Sequence, residues 1–544
     1  MSGWKREKAF SGNAVSYQRL FPVTSASMCD QFGWLACSQD VVMHKFTAAA
    51  NRSRREFLSL GAIGTISLML SAKRRTRLSA ADKPAELFRA TARQLAALIR
   101  QKQASSLEVV NACLARIAQV NPTLNAVVAL TAENARAQAK VADEKLARGE
   151  AVGPLHGVPM TIKDSLDTAG VVTAAGTRGR KNFIPKEDST VVKRLKAAGA
   201  ILLGKTNTPE LTWAWETNSP VYGITNNPWN PKFSPGGASG GSTAIVAAGG
   251  SPFDIGSDSG GSIRVPSHFS GVAGLKATSG RVPRTGHIIP AEGHMQSCTM
   301  LGPIARSVDD LSLLLGTIAG PDWRDAAIIP MPLRDPSQVR ITGLRIAMHT
   351  DNGACTPHAE VAKVVTDTAK LLEGSGVLVD SKRPAALDEV LQMDADLYRA
   401  DGAASLRRIL EKAGTSEPGP DVILGLKQQA MTSGELTAFI ERLDAWRGQM
   451  LQFMEGYDAI LCPPCAWVEM PHGASAPAEA NPAFSYTFAY NMTGWPAVVV
   501  RAGTSSKGLP IGVQIVGRPW REDVVLALAR QVEQALGGYQ WPPI

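Results

Sequence analysis

What the sequence lacks, once its first segment is set aside, is charge of one sign. The 544 residues carry 57 Lys+Arg against 48 Asp+Glu, a formal +9. Residues 1–81 alone hold 12 basic and 4 acidic side chains, which leaves 45 and 44 for the rest. A near-neutral body has no electrostatic footprint for a polyanion, so nucleic acid is excluded as a partner. Cysteine is sparse and unpatterned. Of the 7, Cys29 and Cys37 lie in the first segment, while Cys113, Cys298, Cys355, Cys462 and Cys465 are scattered through the body. No disulfide framework follows, and the CPPC at 462–465 has neither a second ligand pair nor a thioredoxin-like setting. Buried thiols are expected there. The 8 histidines include no HExxH and no metal-spaced pair, so they give no sign of a metal site. No apolar run is long enough to span a bilayer; the best one ends near Leu70.

That short run belongs to a leader. Residues 51–60 read NRSRREFLSL, and Arg54 and Arg55 stand ahead of Phe57, Leu58 and the weakly apolar stretch. The pattern is that of a twin-arginine export signal, with Ser79 and Ala81 as small residues before a cut after Ala81. The basic KRRTR at 73–77 departs from a simple secretory signal. Met43 is a more economical start than Met1, which would leave residues 1–42 untranslated. The expectation is a leader over 1–81, a body over 82–544, and a periplasmic or extracellular destination without membrane association after signal removal.

The body predicts an α/β fold. Leu107, Val110, Leu114 and Ile117 recur at helical spacing behind a capping-box pair, Ser105 and Glu108. Two further helices, one Ala-rich, are expected before residue 150. Short apolar, β-branched runs follow at 158–162, 200–203, 497–500 and 511–516, with a helix over 189–198 between them. Strand and helix alternate, which predicts one large domain with a mixed, twisted β-sheet flanked by helices. Between about 380 and 450 the pattern turns helical and reads as a variable cap near the active site.

The chemistry concentrates between Ser234 and Gly274. Two Gly/Ser clusters, GGASGGS (236–242) and GSDSGGS (256–262), flank a small-residue helix expected to start near Ser242. Such glycine density lets backbone N–H groups approach a ligand closely, and a helix N-terminus adds a positive field. Upstream, PLHGVPMTIKDSLDTAG (154–170) places Lys163 behind an apolar strand. Gly237 to Gly241 also spell G-x-S-x-G, the nucleophile elbow of α/β-hydrolases, with Ser239 as nucleophile. That elbow must follow a strand directly, and PWNPKFSPG (228–236) is loop-like.

The chain resembles the amidase signature family. Matching segments run in order from about residue 86 to 536: PLHGVPMTIKD, LLGKTNTPE (202–210), GSDSGGSIRVPS (256–267), GLKATSGRV (274–282) and GLPIGVQIVGRPW (508–520). The resemblance implies hydrolysis of a carboxylic amide, such as an aryl or acyl amide, through an acyl-enzyme, without a cofactor. It implies Ser262 as nucleophile, Lys163 as distal base, and the backbone amides of Ser259, Gly260, Gly261 and Ser262 as oxyanion hole. Asp258 and Arg264 would brace that loop. Thr212, Trp213 and Trp215 follow the KTNTPE segment near where relatives shape the acyl pocket. A homodimer is compatible with the architecture.

One position departs from the family. Its bridging serine, which stands on a cis non-proline peptide, falls 24 residues before the nucleophile, and here that residue is Ala238. Without a hydroxyl, and unless water or Ser239 substitutes, proton transfer is expected to slow by about 10²–10⁴. Ala238 therefore reads as an inactivating substitution, engineered rather than natural. Two alternatives remain: a catalytically degenerate amide-binding protein, and the A-type subunit of a tRNA-dependent amidotransferase, which would need a partner protein and a cytoplasmic location.

Overall fold

Ser105 Oγ accepts the Glu108 N–H at 3.1 Å, and the Glu108 carboxylate accepts the Ser105 N–H at 2.7 Å. This closes the capping box that the sequence predicts and starts the helix Ser106–Leu124. The structure, a computed structural model, describes residues 86–544. The leader over 1–81, with its paired arginines and its cut after Ala81, lies outside the described residues. Further helices at Ala92–Arg100 and Ala132–Ala147 complete the helical opening of the body.

The strands divide between two main sheets. The smaller has three strands in the order β1-β3-β2, with β1 at Val127–Leu130, β2 at Pro159–Lys163 and β3 at Ile201–Thr206. A minimal hairpin, β4 (Asn218–Ser219) with β5 (Gly223–Ile224), follows. The remaining strands are β6 (Phe253–Asp258), β7 (Ala273–Lys276), β8 (Met300–Ala305), β9 (Arg345–Met348), β10 (Leu378–Ser381), β11 (Ala459–Cys462), β12 (Ala497–Thr504) and β13 (Pro510–Gly517). They build one eight-stranded sheet, β10-β9-β11-β13-β12-β7-β8-β6. It is mixed: β9 pairs in parallel with β10 and β11, and the other neighbours run antiparallel.

Two of the apolar runs read from the sequence, 497–500 and 511–516, lie at the centre of this sheet because both of its faces are covered. Val498, Val500, Val513 and Ile515 enter one core, while Ala497 and Val516 enter another. Alternate residues of a strand point to opposite faces, so a doubly buried strand must be apolar throughout. The second core is closed by helices Val390–Arg399 and Ser433–Met454, which contribute Val390, Met393, Leu397, Phe439, Leu443 and Trp446. Together with Ala404–Ala413 and Pro420–Gly425, these helices occupy the stretch in which the sequence turns helical.

The runs at 158–162 and 200–203 do form strands, β2 and β3, but they belong to the smaller sheet and not to the one mixed sheet that the sequence predicts. Strand β2 packs against β6, the edge strand of the large sheet, through side chains rather than a ladder. The Thr161 N–H donates to Ser251 Oγ at 3.0 Å, and Thr161 Oγ1 donates to Asp254 at 2.7 Å. This contact carries Lys163, the last residue of β2, to the end of β6.

Candidate active site

Lys163 is fully buried. Its Nζ donates to Ser239 Oγ and to Ser257 Oγ, both at 3.0 Å. Burial pushes its ammonium down to about 7, against the opposing pull of Asp258 and Asp254. Asp254 is itself pushed up to about 6 by burial, which the hydrogen bonds from Thr161 and Thr206 oppose. At neutral pH a substantial fraction of Lys163 is therefore uncharged.

Ser239 lies in the middle of the first Gly/Ser cluster. The small-residue helix starts at Gly240, two residues before the sequence places it, and runs to Ala247 with Ser239 as its N-cap. The Ser239 N–H donates to the Ser262 carbonyl at 3.1 Å, which ties the first cluster to the second. Ser239 Oγ accepts from Lys163 and donates to the Ser257 carbonyl at 3.3 Å. Ala238 is buried, and the Gly237–Ala238 peptide is cis, the configuration that the resemblance implies at this position. Thr208 Oγ1 holds the Ala238 carbonyl at 2.9 Å. The loop-like 228–236 precedes this turn with no strand, so the nucleophile elbow of an α/β-hydrolase is not formed.

The second cluster forms the loop between β6 and the helix Arg264–Ser270. Gly261 has φ +139°, and a Cβ on it would lie 2.5 Å from Thr487 Oγ1, so only glycine fits this bend. Thr487 Oγ1 in turn donates to the Gly260 carbonyl. Among the described residues, none of the N–H groups of Ser259, Gly260, Gly261 and Ser262 donates to another protein group, and Ser262 Oγ has no hydrogen-bond partner. Ser262 is 8% exposed. A buried, bent loop with free N–H groups is suited to an oxyanion, because each donor lacks a competing acceptor.

Asp258 and Arg264 hold this loop from behind. Arg264 Nη2 and Nε reach Asp258 at 2.9 and 3.0 Å, and both side chains are fully buried. Asp258 also accepts the backbone N–H of Ile263 and of Arg264. Burial acts to raise its carboxyl, but the charge and hydrogen bonds of Arg264 win and hold it well below the usual carboxylate range. The network extends to Gln514 inside GLPIGVQIVGRPW and to Thr487 and Asn491, which lie in no segment singled out in the sequence. Arg264 Nη1 donates to Gln514 at 2.7 Å and to the Thr487 carbonyl at 3.0 Å, and Asn491 Nδ2 donates to Asp258 Oδ1 at 2.9 Å. Ser257 lies inside the GSDSGGS motif.

The candidate substrate residues divide. Trp215 is half-buried, stacks on Phe484 at 4.4 Å and on Phe488 at 5.6 Å, and comes within 3.3 Å of where a Cβ on Gly260 would lie. It therefore borders the loop of the second cluster. Trp213 instead packs against Leu211, Ala403, Leu406, Leu410 and Val422, with its ring edge-on to Tyr398 at 5.4 Å. Thr212 has φ +62° and only a backbone bond to Pro209 among its described contacts. Cys462 and Cys465 are free and buried, and Cys462 Sγ accepts from Gln514. No cluster of three or more His, Cys, Asp or Glu among the described residues is arranged to hold a metal ion.

The family model described as Amidase matches residues 108–526. The chain belongs to the amidase family. Among its relatives, the A-type subunit of the glutamyl-tRNA(Gln) amidotransferase of Thermosynechococcus vestitus is 34% identical, covering 81% of this chain and 97% of the relative. Among solved structures, 6-aminohexanoate cyclic dimer hydrolase complexed with substrate matches with a TM-score of 0.77 at 29% identity, covering 84% of this chain and 99% of that one. A bacterial aryl acylamidase belonging to the amidase signature enzymes matches with a TM-score of 0.76 at 27% identity, covering 82% and 96%. The mixed α/β architecture is thus shared with enzymes of this family.

Proposed function

We propose that this family member cleaves a carboxylic amide C–N bond by way of an acyl-enzyme on Ser262. The observation that carries the reading is the placement of a buried lysine, driven toward its neutral form, beside a loop whose four N–H groups and serine hydroxyl are unclaimed. The Ser262 oxygen adds to the carbonyl carbon while its proton passes toward Lys163. Negative charge on the carbonyl oxygen is met by the N–H groups of residues 259–262. Lys163 returns the proton to the leaving nitrogen as the C–N bond breaks. Water then adds to the acyl carbon, and the carboxylic acid departs with Ser262 restored.

The relay is the weak link. Ala238 puts a methyl group where the family has a hydroxyl. Ser239 is in contact with Lys163, but its single proton is directed at the Ser257 carbonyl, so it is poorly disposed to take the proton of Ser262. Turnover without the bridging hydroxyl is expected to fall by about 10²–10⁴.

Two finer readings share this chemistry. The aromatic surface of Trp215, Phe484 and Phe488 supports a hydrolase for amides with an apolar acyl group, since a stacked aromatic wall favours flat or apolar ligands over charged ones. The sequence relatives support an amidotransferase A-type subunit more directly, at 34–37% identity over most of the chain. Assays of anilides, peptide amides, short aliphatic amides and glutamine separate them, using the purified chain and its Ala238→Ser form. Release of amine from aryl amides by the chain alone supports the hydrolase, and cleavage confined to glutamine supports the amidotransferase reading. If the Ala238→Ser form cleaved no amide at all, both readings would be abandoned.

A further inference from the structure

The helix Val390–Arg399 places Asp394 and Tyr398 one turn apart on the same face. The Tyr398 hydroxyl lies 3.6 Å from where a Cβ on Gly260 would stand, beside the tip of Trp215. It therefore borders the loop of Ser262. Asp394 is only 9% exposed. Its carboxyl sits within electrostatic reach of the Tyr398 hydroxyl and the Cys298 thiol, and Tyr398 in turn within reach of Asp258. Neither the Asp394 carboxyl nor the Tyr398 hydroxyl has a hydrogen-bond or ion-pair partner among the described residues. The neighbouring carboxylates differ: Asp396 is held by Arg399 and Arg442, and Asp401 lies near His294 and Arg408.

The Asp394 oxygens are not sealed off from solvent, so a ligand's donor can reach a carboxyl that no protein group claims. Burial also pushes Asp394 up to about 7, so the group waits near its titration point for a partner that would fix its charge. Val390, Met393 and Leu397 around it are apolar. A ligand group that suits this place is an amine at the end of a short apolar arm.

We infer that Asp394, with Tyr398 beside it, is a specificity-determining site that selects amides bearing a second, amino-substituted arm. The inference rests on the amide-cleavage reading of Ser262. Asp394 takes no part in the bond-breaking step: it accepts a hydrogen bond from the ligand's ammonium, and Tyr398 orients the arm past Gly260.

The test compares 4-(aminomethyl)benzamide with its near-isostere 4-ethylbenzamide by calorimetric titration of the full chain. The aminomethyl compound should bind about tenfold more tightly, in keeping with a charge-assisted hydrogen bond out of water. Asp394→Asn and Asp394→Leu should each erase that preference while leaving 4-ethylbenzamide binding unchanged, and Tyr398→Phe should narrow it. Equal binding of the two amides by the unaltered chain overturns the inference without need of any variant, as does a preference that survives in Asp394→Asn. Cleavage of both benzamides at equal efficiency by the Ala238→Ser form would remove the inference alone. Failure to bind either benzamide would remove this inference, and the amide reading falls with it only if the Ala238→Ser form also cleaves no anilide, peptide amide, aliphatic amide or glutamine.

Discussion

At the scale of single residues, the barrier to reaction is set by one missing hydroxyl and one displaced titration. Restoring the bridging group in Ala238→Ser should raise kcat/KM by about 10²–10⁴, equivalent to about 3–5 kcal/mol of activation free energy. Steady-state kinetics on the two forms, side by side, check this. Equal and robust rates would mean that the proton does not travel through position 238. Lys163 sets the pH profile of the restored enzyme. Only its uncharged form can accept a proton, and burial holds the group near 7 rather than its ordinary 10.5. The rate should therefore climb as pH rises through about 7 and level off above it. A climb centred near 10 would show a solvated lysine and contradict the buried site. Lys163→Met should remove both the climb and most of the rate.

At the scale of elements, the loop after β6 keeps its shape because a buried ion pair anchors both of its ends. Asp258 closes β6, and Arg264 opens the next helix. Removing one partner leaves an uncompensated charge in a fully buried place. Arg264→Leu should thus cost about 3–5 kcal/mol of stability, read as a lower midpoint in urea unfolding. A midpoint close to that of the unaltered protein would show that Gln514 and Asn491 alone hold the loop. The aromatic wall makes a separate prediction. Trp215→Ala removes the ring that bridges Phe484 and the Gly260 loop, so KM for an aryl amide should rise severalfold while KM for acetamide changes little. If both rose together, Trp215 would be supporting the loop rather than meeting the acyl group.

At the scale of the whole molecule, the leader and the body make different demands. The export expectation rests on Arg54 and Arg55 with the apolar run and the small residues before Ala81, and it is tested in cells by replacing both arginines with lysine. Accumulation of an unprocessed chain in the cytoplasm is the expected outcome. Unchanged distribution would favour the cytoplasmic reading that goes with an amidotransferase role. Within the described body, no helix is long and apolar enough to cross a membrane.

The sequence by itself determined those features whose cause is local. The capping box at Ser105, the apolar runs of β12 and β13, the two Gly/Ser clusters and the loss of a hydroxyl at position 238 are each written in a few neighbouring residues. Only the tertiary structure decided what depends on residues far apart in the chain. It set Lys163 on a separate small sheet against β6, brought Phe484 and Thr487 to a loop more than 200 residues away, and left Asp394 buried without a partner. Periodicity and turn chemistry act over a few residues, and so can be read along the chain. Burial, desolvation of a lysine and the stacking of distant rings arise only when the packed core brings surfaces together, and no local pattern encodes them.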